Sequence, residues 1–185
     1  MPLLTIPLVG RCDDYLPGYY DRIRMSLHSF VTVFEHVDVE ILLIDYNQVE
    51  NHALSDIYSH SKIKNLVVSR EEVKQKMQAQ FSNGVHIIHE NGDEITFEDF
   101  FNVFPFPPGW AINEGLKIAT GEYFVFTTTD VIVCKQNLDS LLDILRPRVM
   151  FKCSPMAAMQ DVIANNIHAI IESPCNYSGL KFSRN

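Results

Sequence analysis

The sequence is poor in positive charge and in long apolar runs, and each shortage excludes a class of protein. Its 185 residues contain 15 Lys and Arg against 23 Asp and Glu, which gives a net charge of −8. A general nucleic-acid binder needs a basic face to neutralise phosphates, so we expect no nucleic-acid partner. No apolar run reaches the roughly 18 residues of a membrane helix, so we expect no membrane span.

Cysteine and the common nucleotide-binding motifs are also sparse. The sequence lacks the G-x-G-x-x-G turn of dinucleotide oxidoreductases, the G-x-x-x-x-G-K-[ST] loop of P-loop ATPases and the G-x-S-x-G elbow of α/β-hydrolases. These three enzyme classes are therefore disfavoured. The cysteines form no C-x-x-C pair, which favours reduced thiols and a cytoplasmic location. They are Cys12, Cys134, Cys153 and Cys175.

What the sequence does contain is a regular alternation of short apolar runs and amphipathic stretches. A hydrophobic fraction of 46% is enough for a core, and the length predicts one domain over residues 1–185. The runs predict buried strands at 3–9, 39–44, 63–69, 122–127 and 149–153. The amphipathic stretches predict helices at 19–35, 53–59, 70–80, 111–120, 137–145 and 155–171.

Two further segments interrupt this alternation. Asn91-Gly92 lies between the apolar runs 85–89 and 94–97, which predicts a hairpin. The aromatic, proline-rich stretch 100–110 predicts a constrained, non-helical loop. Together the elements predict an α/β fold, with an open, mixed, mainly parallel sheet, helices on both faces and an inserted hairpin.

Polar residues follow three of the predicted strands, at Gly10-Arg11, at Asp45 and at Thr128-Thr129-Asp130. Ligands of open α/β sheets bind beyond the carboxyl ends of the strands, so these residues are candidates for a site. A carboxylate in apolar company such as Asp130 needs compensation. It either forms a turn or helix cap, or binds Mg²⁺ or Mn²⁺. Asp45 likewise either forms a turn or accepts a hydrogen bond from a ribose or base.

The segment from Asn113 to Asp130 resembles the core signature of GT-A glycosyltransferases, the family-2-like nucleotide-sugar enzymes. That signature reads N-x-G-x-x-x-A-x-G-E-Y, three apolar residues, one further residue and a D-x-D pair. Thr128 replaces the first aspartate of the pair, and Asp130 matches the second. Residues 3–7 and 40–45 resemble two strands of the family, so the likeness spans about residues 3 to 135. The matching signature positions are Asn113, Gly115, Ala119, Gly121, Glu122 and Tyr123.

The resemblance implies a glycosyltransferase that moves a sugar from a UDP-sugar donor to a glycan or protein-linked acceptor, assisted by Mn²⁺ or Mg²⁺. In the family the first strand end and the aspartate of the second strand hold the nucleoside. Asp45 and the backbone near the first strand end would therefore contact uracil and ribose. The backbone residues concerned are Pro7, Leu8 and Val9.

The resemblance also assigns roles at the third strand end. Asp130 would hold the cation, and Thr128 would contact a ribose hydroxyl or a metal-bound water. Asn113, the first residue of the signature, is included among the substrate-binding candidates. Arg11 either reaches a phosphate or is a solvated loop charge.

An inverting enzyme of this family also needs a carboxylate base beyond the metal motif. Asp161 is the first candidate, with Glu172 and then Asp139 behind it, and a helix-surface position is the alternative for Asp161. The chain also resembles the small GT-A domain at the start of multidomain glycosyltransferases of large algal viruses. That likeness implies further domains on the same polypeptide and a location in the host cytoplasm.

Two other functions stay open. Thr128 in place of an aspartate is compatible with a GT-A-like domain that binds nucleotide sugars without catalysis. A nucleotidyltransferase would need a glycine-rich loop with a basic residue after the first strand, and Gly10-Arg11 is only a faint version of one.

Overall fold

The computed structural model of the chain describes residues 2–11, 18–46, 53–81, 87–88, 91–103 and 108–135, together with 138, 142 and 145. Its strands are β1 (Leu4–Arg11), β2 (Val39–Tyr46), β3 (Ile63–Val68), β4 (Ile87–Ile88), β5 (Glu94–Ile95) and β6 (Tyr123–Phe124). Its helices are α1 (Tyr19–Val33), α2 (Arg70–Phe81), α3 (Phe97–Val103) and α4 (Pro108–Leu116), and a 3₁₀ turn spans Leu54–Asp56.

Four of the strands form one parallel sheet in the order β3-β2-β1-β6. The other two strands pair antiparallel, as the Asn91-Gly92 signal predicts. All eight residues of β2 are buried, because its uninterrupted apolar run is covered on both faces. The predicted α/β fold class, with a parallel sheet and helices, is confirmed.

Alternate side chains of the sheet enter two separate cores, since successive residues of a strand point to opposite faces. On one face, the α1 face, Ile41 and Leu43 pack with the apolar stripe of α1. That stripe recurs every three or four residues, at Ile23, Leu27, Phe30 and Phe34. On the other face, the α4 face, side chains of β2 pack with α2, α3 and α4; they include Leu42, Ile44, Tyr46, Val73, Phe101 and Ala111.

The predicted non-helical loop at 100–110 is wrong where the structure describes it, because α3 and α4 cover most of it. Thr96 caps α3: its Oγ1 accepts the backbone N–H of Asp99 at 3.1 Å and donates to the Asp99 carboxylate at 2.6 Å. Thr96 is therefore the N-cap residue of α3, and such a cap favours a helix start whatever the aromatic content that follows. Pro108 is the first residue of α4, where its missing N–H costs nothing.

Several predicted boundaries also change. β1 continues to Arg11 and β2 to Tyr46, two residues beyond their predicted ends. The helix predicted to reach Thr120 ends at Leu116. The buried strand predicted over 122–127 is reduced to β6, and one of its faces is open among the described residues.

Other expectations fall wholly or partly outside the described residues. These are the strand at 149–153, the helix at 155–171 and most of the helix at 137–145. Cys134 is a buried thiol, whereas the other three cysteines are not described, so reduced cysteines stay a prediction. Within the described ranges no helix combines the length and apolarity that a membrane crossing requires.

Candidate functional site

The order of the strands marks one place where a ligand is expected. The chain passes from β1 to β2 and then β3, and returns to the other side of β1 as β6. The strand order therefore reverses between β1 and β6. In open α/β sheets the carboxyl edge at such a reversal is the usual ligand position.

The register brings the three predicted strand ends to this edge. Gly10 pairs with Asp45 across β1 and β2, and Arg11 pairs with Tyr46. On the other side of β1, Thr129 Oγ1 donates to the carbonyl of Val9 at 3.3 Å. We call the group Val9–Arg11, Asp45 and Thr128–Asp130 the carboxyl-edge site.

Thr129 and Tyr19 connect the parts of this site, and Tyr19 was not among the residues that the sequence singled out. Thr129 and Tyr19, both 4% exposed, approach within 3.5 Å through their hydroxyls. The Tyr19 hydroxyl also accepts the backbone N–H of Arg11 at 3.0 Å. Tyr19 begins α1, so this helix links the end of β1 to the turn after β6. The only sequence signal for this role of Tyr19 was its position at the start of the predicted helix.

The segment after Asp130 is attached to α1 as well. Ser26 Oγ donates to the carbonyl of Val131 at 2.7 Å, and Ser29 Oγ accepts the N–H of Val133 at 3.2 Å. These serines interrupt the apolar pattern of α1, and their hydroxyls serve backbone groups that would otherwise be buried without partners. The turn that carries Asp130 is thus fixed on both sides.

Asp130 and Thr128 lie next to each other on the surface of the site. Both are exposed, and Thr128 Oγ1 donates a hydrogen bond to Asp130 Oδ1. The Thr128 hydroxyl therefore orients the Asp130 carboxylate. In the family signature the position of Thr128 is occupied by another aspartate. The oxygen donors of these two residues are of the kind that Mg²⁺ and Mn²⁺ prefer.

Asp45 is placed differently from Asp130. It is 2% exposed, and its Oδ2 accepts the backbone N–H of Leu54 at 2.9 Å. This bond holds the 3₁₀ turn Leu54–Asp56 against the end of β2. It favours the turn-forming interpretation for that oxygen of Asp45.

The other predicted contact residues of β1 lie at different distances from the carboxyl edge of the sheet. Pro7 and Leu8 are inside β1, opposite Leu42 and Leu43, because β1 is longer than predicted. Their backbone is thus further from the carboxyl edge than the predicted strand end implied. Arg11, the last residue of β1, is partly buried.

The remaining candidates lie away from these strand ends or outside the description. Asn113 is exposed on α4. Asp161, the candidate base, is not among the described residues. The structure therefore brings together Val9, Arg11, Asp45, Thr128 and Asp130, whereas nothing described connects Asn113 to that group.

The signature glycines have a packing role in this chain. A Cβ on Gly115 would collide with Ile44 Cδ1, so a larger residue there would require the buried side chain of Ile44 to move. A Cβ on Gly121 would lie 2.4 Å from the backbone nitrogen of Thr5. The two glycines hold the segment that leads to Asp130 against the sheet.

A buried carboxylate anchors the same segment, and the sequence analysis missed it. Glu40 is 4% exposed and accepts hydrogen bonds from Thr5 Oγ1 at 2.8 Å and from the Thr120 N–H at 2.9 Å. Thr120 Oγ1 donates at 3.1 Å, and Lys64 Nζ forms an ion pair with the same side chain. Burial alone raises the pKa of Glu40, but these donors together outweigh burial and lower the pKa to about 2.

The geometry limits how a metal could be held. Among the residues that the structure describes, no three His, Cys, Asp or Glu side chains come together as a metal site. A cation at Asp130 would thus take most of its ligands from Thr128, from water or from a bound substrate. Such a sparse donor set fits Mg²⁺ or Mn²⁺, which commonly combine one or two carboxylates with phosphate oxygens.

No protein-family model, no curated protein and no solved structure matches this chain. Its function is therefore argued from the carboxyl-edge site and from the sequence resemblance.

Proposed function

We propose that the chain is a glycosyltransferase that transfers a sugar from a UDP-sugar to a glycan or protein-linked acceptor, with a divalent cation. The observation that supports it is the carboxyl-edge site itself. The segment with the glycosyltransferase-like signature ends at Thr128–Asp130, and Thr129 hydrogen-bonds to Val9 near the end of β1, where the strand order reverses. An exposed carboxylate at that position is suited to a charged ligand.

In this proposal Asp130 and Thr128 bind the divalent cation that accompanies the diphosphate of the UDP-sugar. A bound Mn²⁺ or Mg²⁺ would act as a Lewis acid that stabilises negative charge on the departing diphosphate. Thr128 keeps the Asp130 carboxylate oriented through its hydrogen bond. A single carboxylate neutralises only part of the charge of a divalent ion, so Asp130 should bind metal well only together with the diphosphate.

The neighbouring strand ends would bind the rest of the donor. Asp45 and the backbone near Val9 would contact uridine, and Arg11 would neutralise phosphate charge. Asp161 would accept the proton of the acceptor hydroxyl as a general base. We also propose a cytoplasmic location and further domains on the same polypeptide.

The test is a titration of UDP with and without Mn²⁺. Metal and nucleotide should each tighten the other by the same factor, because binding linkage is reciprocal. Asp130→Asn keeps the shape and removes the charge, so it should abolish this coupling and leave metal-free UDP affinity unchanged. Glu122→Gln is the matched control, since Glu122 is an exposed carboxylate of the same segment at the start of β6. It should behave as wild type.

Each outcome bears on a different part of the proposal. Equal coupling in wild type and Asp130→Asn would remove Asp130 from the metal site. A folded wild-type protein that binds neither UDP nor UDP-sugars would refute the nucleotide-sugar function. Slow hydrolysis of a UDP-sugar to UDP, lost in Asp130→Asn, would support catalysis.

A binding domain without catalysis is the second candidate. Thr128 favours it, because a hydroxyl is a weaker metal ligand than a carboxylate. UDP binding without any UDP-sugar hydrolysis would select this candidate. The nucleotidyltransferase alternative gains no support from Gly10: a Cβ there would lie 2.6 Å from Leu54 Cδ1, so packing against Leu54 already favours a glycine at this position.

A further inference from the structure

Two arginine side chains at the carboxyl edge of the sheet each have a buried donor without an acceptor. Arg22 and Arg70 lie in the first turns of α1 and α2, the helices that follow β1 and β3. In both side chains Nε is buried and makes no hydrogen bond to the described part of the chain. Buried donors are almost always paired in folded proteins, so each of these two requires an explanation. Arg70 lies over Phe101, in the core of the α4 face.

Arg22 is the one that is connected to the carboxyl-edge site. Its guanidinium carbon Cζ lies 5.7 Å from the centre of the Tyr19 ring, which is within the range of a cation–π contact. The hydroxyl of the same tyrosine accepts the backbone N–H of Arg11 and approaches Thr129 Oγ1. Arg22 therefore packs on the ring whose hydroxyl joins the end of β1 to the turn after β6.

The positive charge of Arg22 is not balanced by a described neighbour. The adjacent acid, Asp21, forms its ion pair with Arg24 at 2.9 Å, and both of those side chains are exposed. No carboxylate within the described ranges forms an ion pair with Arg22 itself. A guanidinium without a counter-ion is suited to an anion, because its planar N–H donors match the oxygens of a phosphate.

The side chain of Arg22 is also placed to meet a ligand at this edge. Side chains of a helix lean toward its amino end, and the amino end of α1 lies at the carboxyl edge of the sheet. Arg22 is only partly buried, and its two terminal nitrogens are not among the buried donors, so they are open to a ligand. Contact with the buried Tyr19 ring restricts the guanidinium, which reduces the entropy that binding would cost.

We propose that Arg22 binds a phosphate of the UDP-sugar at the carboxyl-edge site and so adds a fixed positive charge to the cation at Asp130. This assignment rests on the proposed function, because that function supplies the diphosphate. A diphosphate carries more than one negative charge, and Asp130 offsets part of the charge of a bound cation, so a further positive charge from the protein strengthens binding. Arg22 needs no metal, and it should therefore bind a diphosphate in the absence of Mn²⁺ as well.

Titration calorimetry of UDP, uridine and inorganic pyrophosphate without metal tests this assignment. Arg22→Gln should weaken UDP and pyrophosphate by about tenfold or more, the usual loss for a charge-assisted hydrogen bond. Uridine has no phosphate, so its affinity should be unchanged. Arg24→Gln is the matched control, because Arg24 lies on the same helix but is exposed and paired with Asp21. It should bind all three ligands as the wild type does.

A second variant separates charge from shape. Arg22→Lys keeps the positive charge but lacks the planar guanidinium, so it should recover only part of the UDP affinity that Arg22→Gln loses. Thermal unfolding of each variant shows whether the fold is intact. Should Arg22→Gln fail to fold, the Lys variant decides: weaker binding of UDP with unchanged binding of uridine supports the assignment, and unchanged binding of both overturns it.

The outcomes distinguish the role of Arg22 from the function of the chain. Equal UDP affinity in Arg22→Gln and Arg24→Gln would overturn the assignment and leave the nucleotide function standing. The same holds if Arg22→Gln weakens uridine as much as UDP, because Arg22 would then support the site without touching phosphate. Pyrophosphate binding that is lost in Arg22→Gln, in a wild type that shows no preference for UDP, would support an anion site at Arg22 and refute the nucleotide function. A folded wild type that binds none of the three ligands would overturn both.

Discussion

Two carboxylates at opposite ends of the sheet, Glu40 and Asp130, have opposite surroundings. Near the amino ends of the strands, Glu40 is 4% exposed and is surrounded by donors from Thr5, Lys64 and Thr120. At the carboxyl ends, Asp130 is exposed and hydrogen-bonds to the hydroxyl of Thr128. The first arrangement satisfies a buried charge from within the protein. The second leaves a carboxylate open to a ligand.

This difference separates a structural carboxylate from a candidate functional one. A buried charge is tolerated only when hydrogen bonds and an opposite charge compensate for lost hydration, and Glu40 has both. An exposed carboxylate keeps its hydration, so its removal should cost little stability. Stability and ligand binding should therefore respond to different variants.

The largest effect is expected for Glu40→Ala, which should lower the free energy of unfolding by about 3 kcal/mol. The change leaves the buried Thr5 hydroxyl without its acceptor and also removes the acceptor of the two Thr120 hydrogen bonds. Lys64→Ala is the comparison: it removes the opposite charge but keeps the hydrogen bonds from Thr5 and Thr120, so it should cost less, about 1.5 kcal/mol. Urea unfolding measures both. Equal losses would mean that the ion pair, and not the buried hydrogen bonds, carries the stability.

Gly121→Ala should follow, with a loss of about 2 kcal/mol from overpacking. The added Cβ would collide with backbone of β1, which cannot move as a flexible side chain can. Gly109→Ala is the matched control, since a Cβ there meets no atom within 4 Å. Thermal unfolding should show a lower Tm for Gly121→Ala alone. An unchanged Tm would mean that the turn before β6 shifts freely.

The pH dependence of stability should give a somewhat smaller effect. The pKa of Glu40 is lowered from 4.5 to about 2 in the folded protein, so ionised Glu40 stabilises the fold above its unfolded pKa. This stabilisation is lost as the pH falls towards the folded pKa. Between about pH 4.5 and about pH 3 the wild type should lose about 1.5 kcal/mol more than Glu40→Gln. Parallel pH profiles for the two proteins would contradict this.

The smallest effect on stability is expected for Asp130→Asn, within about 0.5 kcal/mol of wild type. The side chain is exposed, and the amide oxygen can still accept the Thr128 hydrogen bond. Equilibrium unfolding beside the UDP titration checks this. A large loss of stability would mean that Asp130, like Glu40, has a structural role.

Sequence patterns predicted the elements whose signals are local. The stripe of α1 recurs every three or four residues, and α1 begins at the predicted residue and ends two residues before the predicted end. The Asn91-Gly92 turn was an equally clear local signal for the hairpin. The error at 100–110 arose because aromatic and proline content was weighed above the N-cap residue Thr96, which is also a local signal.

The candidate site was predictable only in outline. Polar residues after apolar runs identified Arg11, Asp45 and Thr128–Asp130, because the carboxyl ends of parallel strands share an edge. Tyr19 was missed, because its hydroxyl approaches that of Thr129 across 110 residues of sequence. The sequence also failed to predict that described residues cover only one face of β6, because an apolar run does not indicate which neighbours will pack against it.

The sequence by itself determined where strands and helices form, that they build an α/β fold, and which strand ends carry polar groups, because these follow from periodicity and from short-range signals. Only the tertiary structure decided which carboxylate became structural. Glu40, Asp45 and Asp130 look alike in the sequence as acids beside or within apolar runs. Their difference depends on donors far along the chain, such as Thr120 for Glu40, and on whether folding leaves the side chain in contact with water.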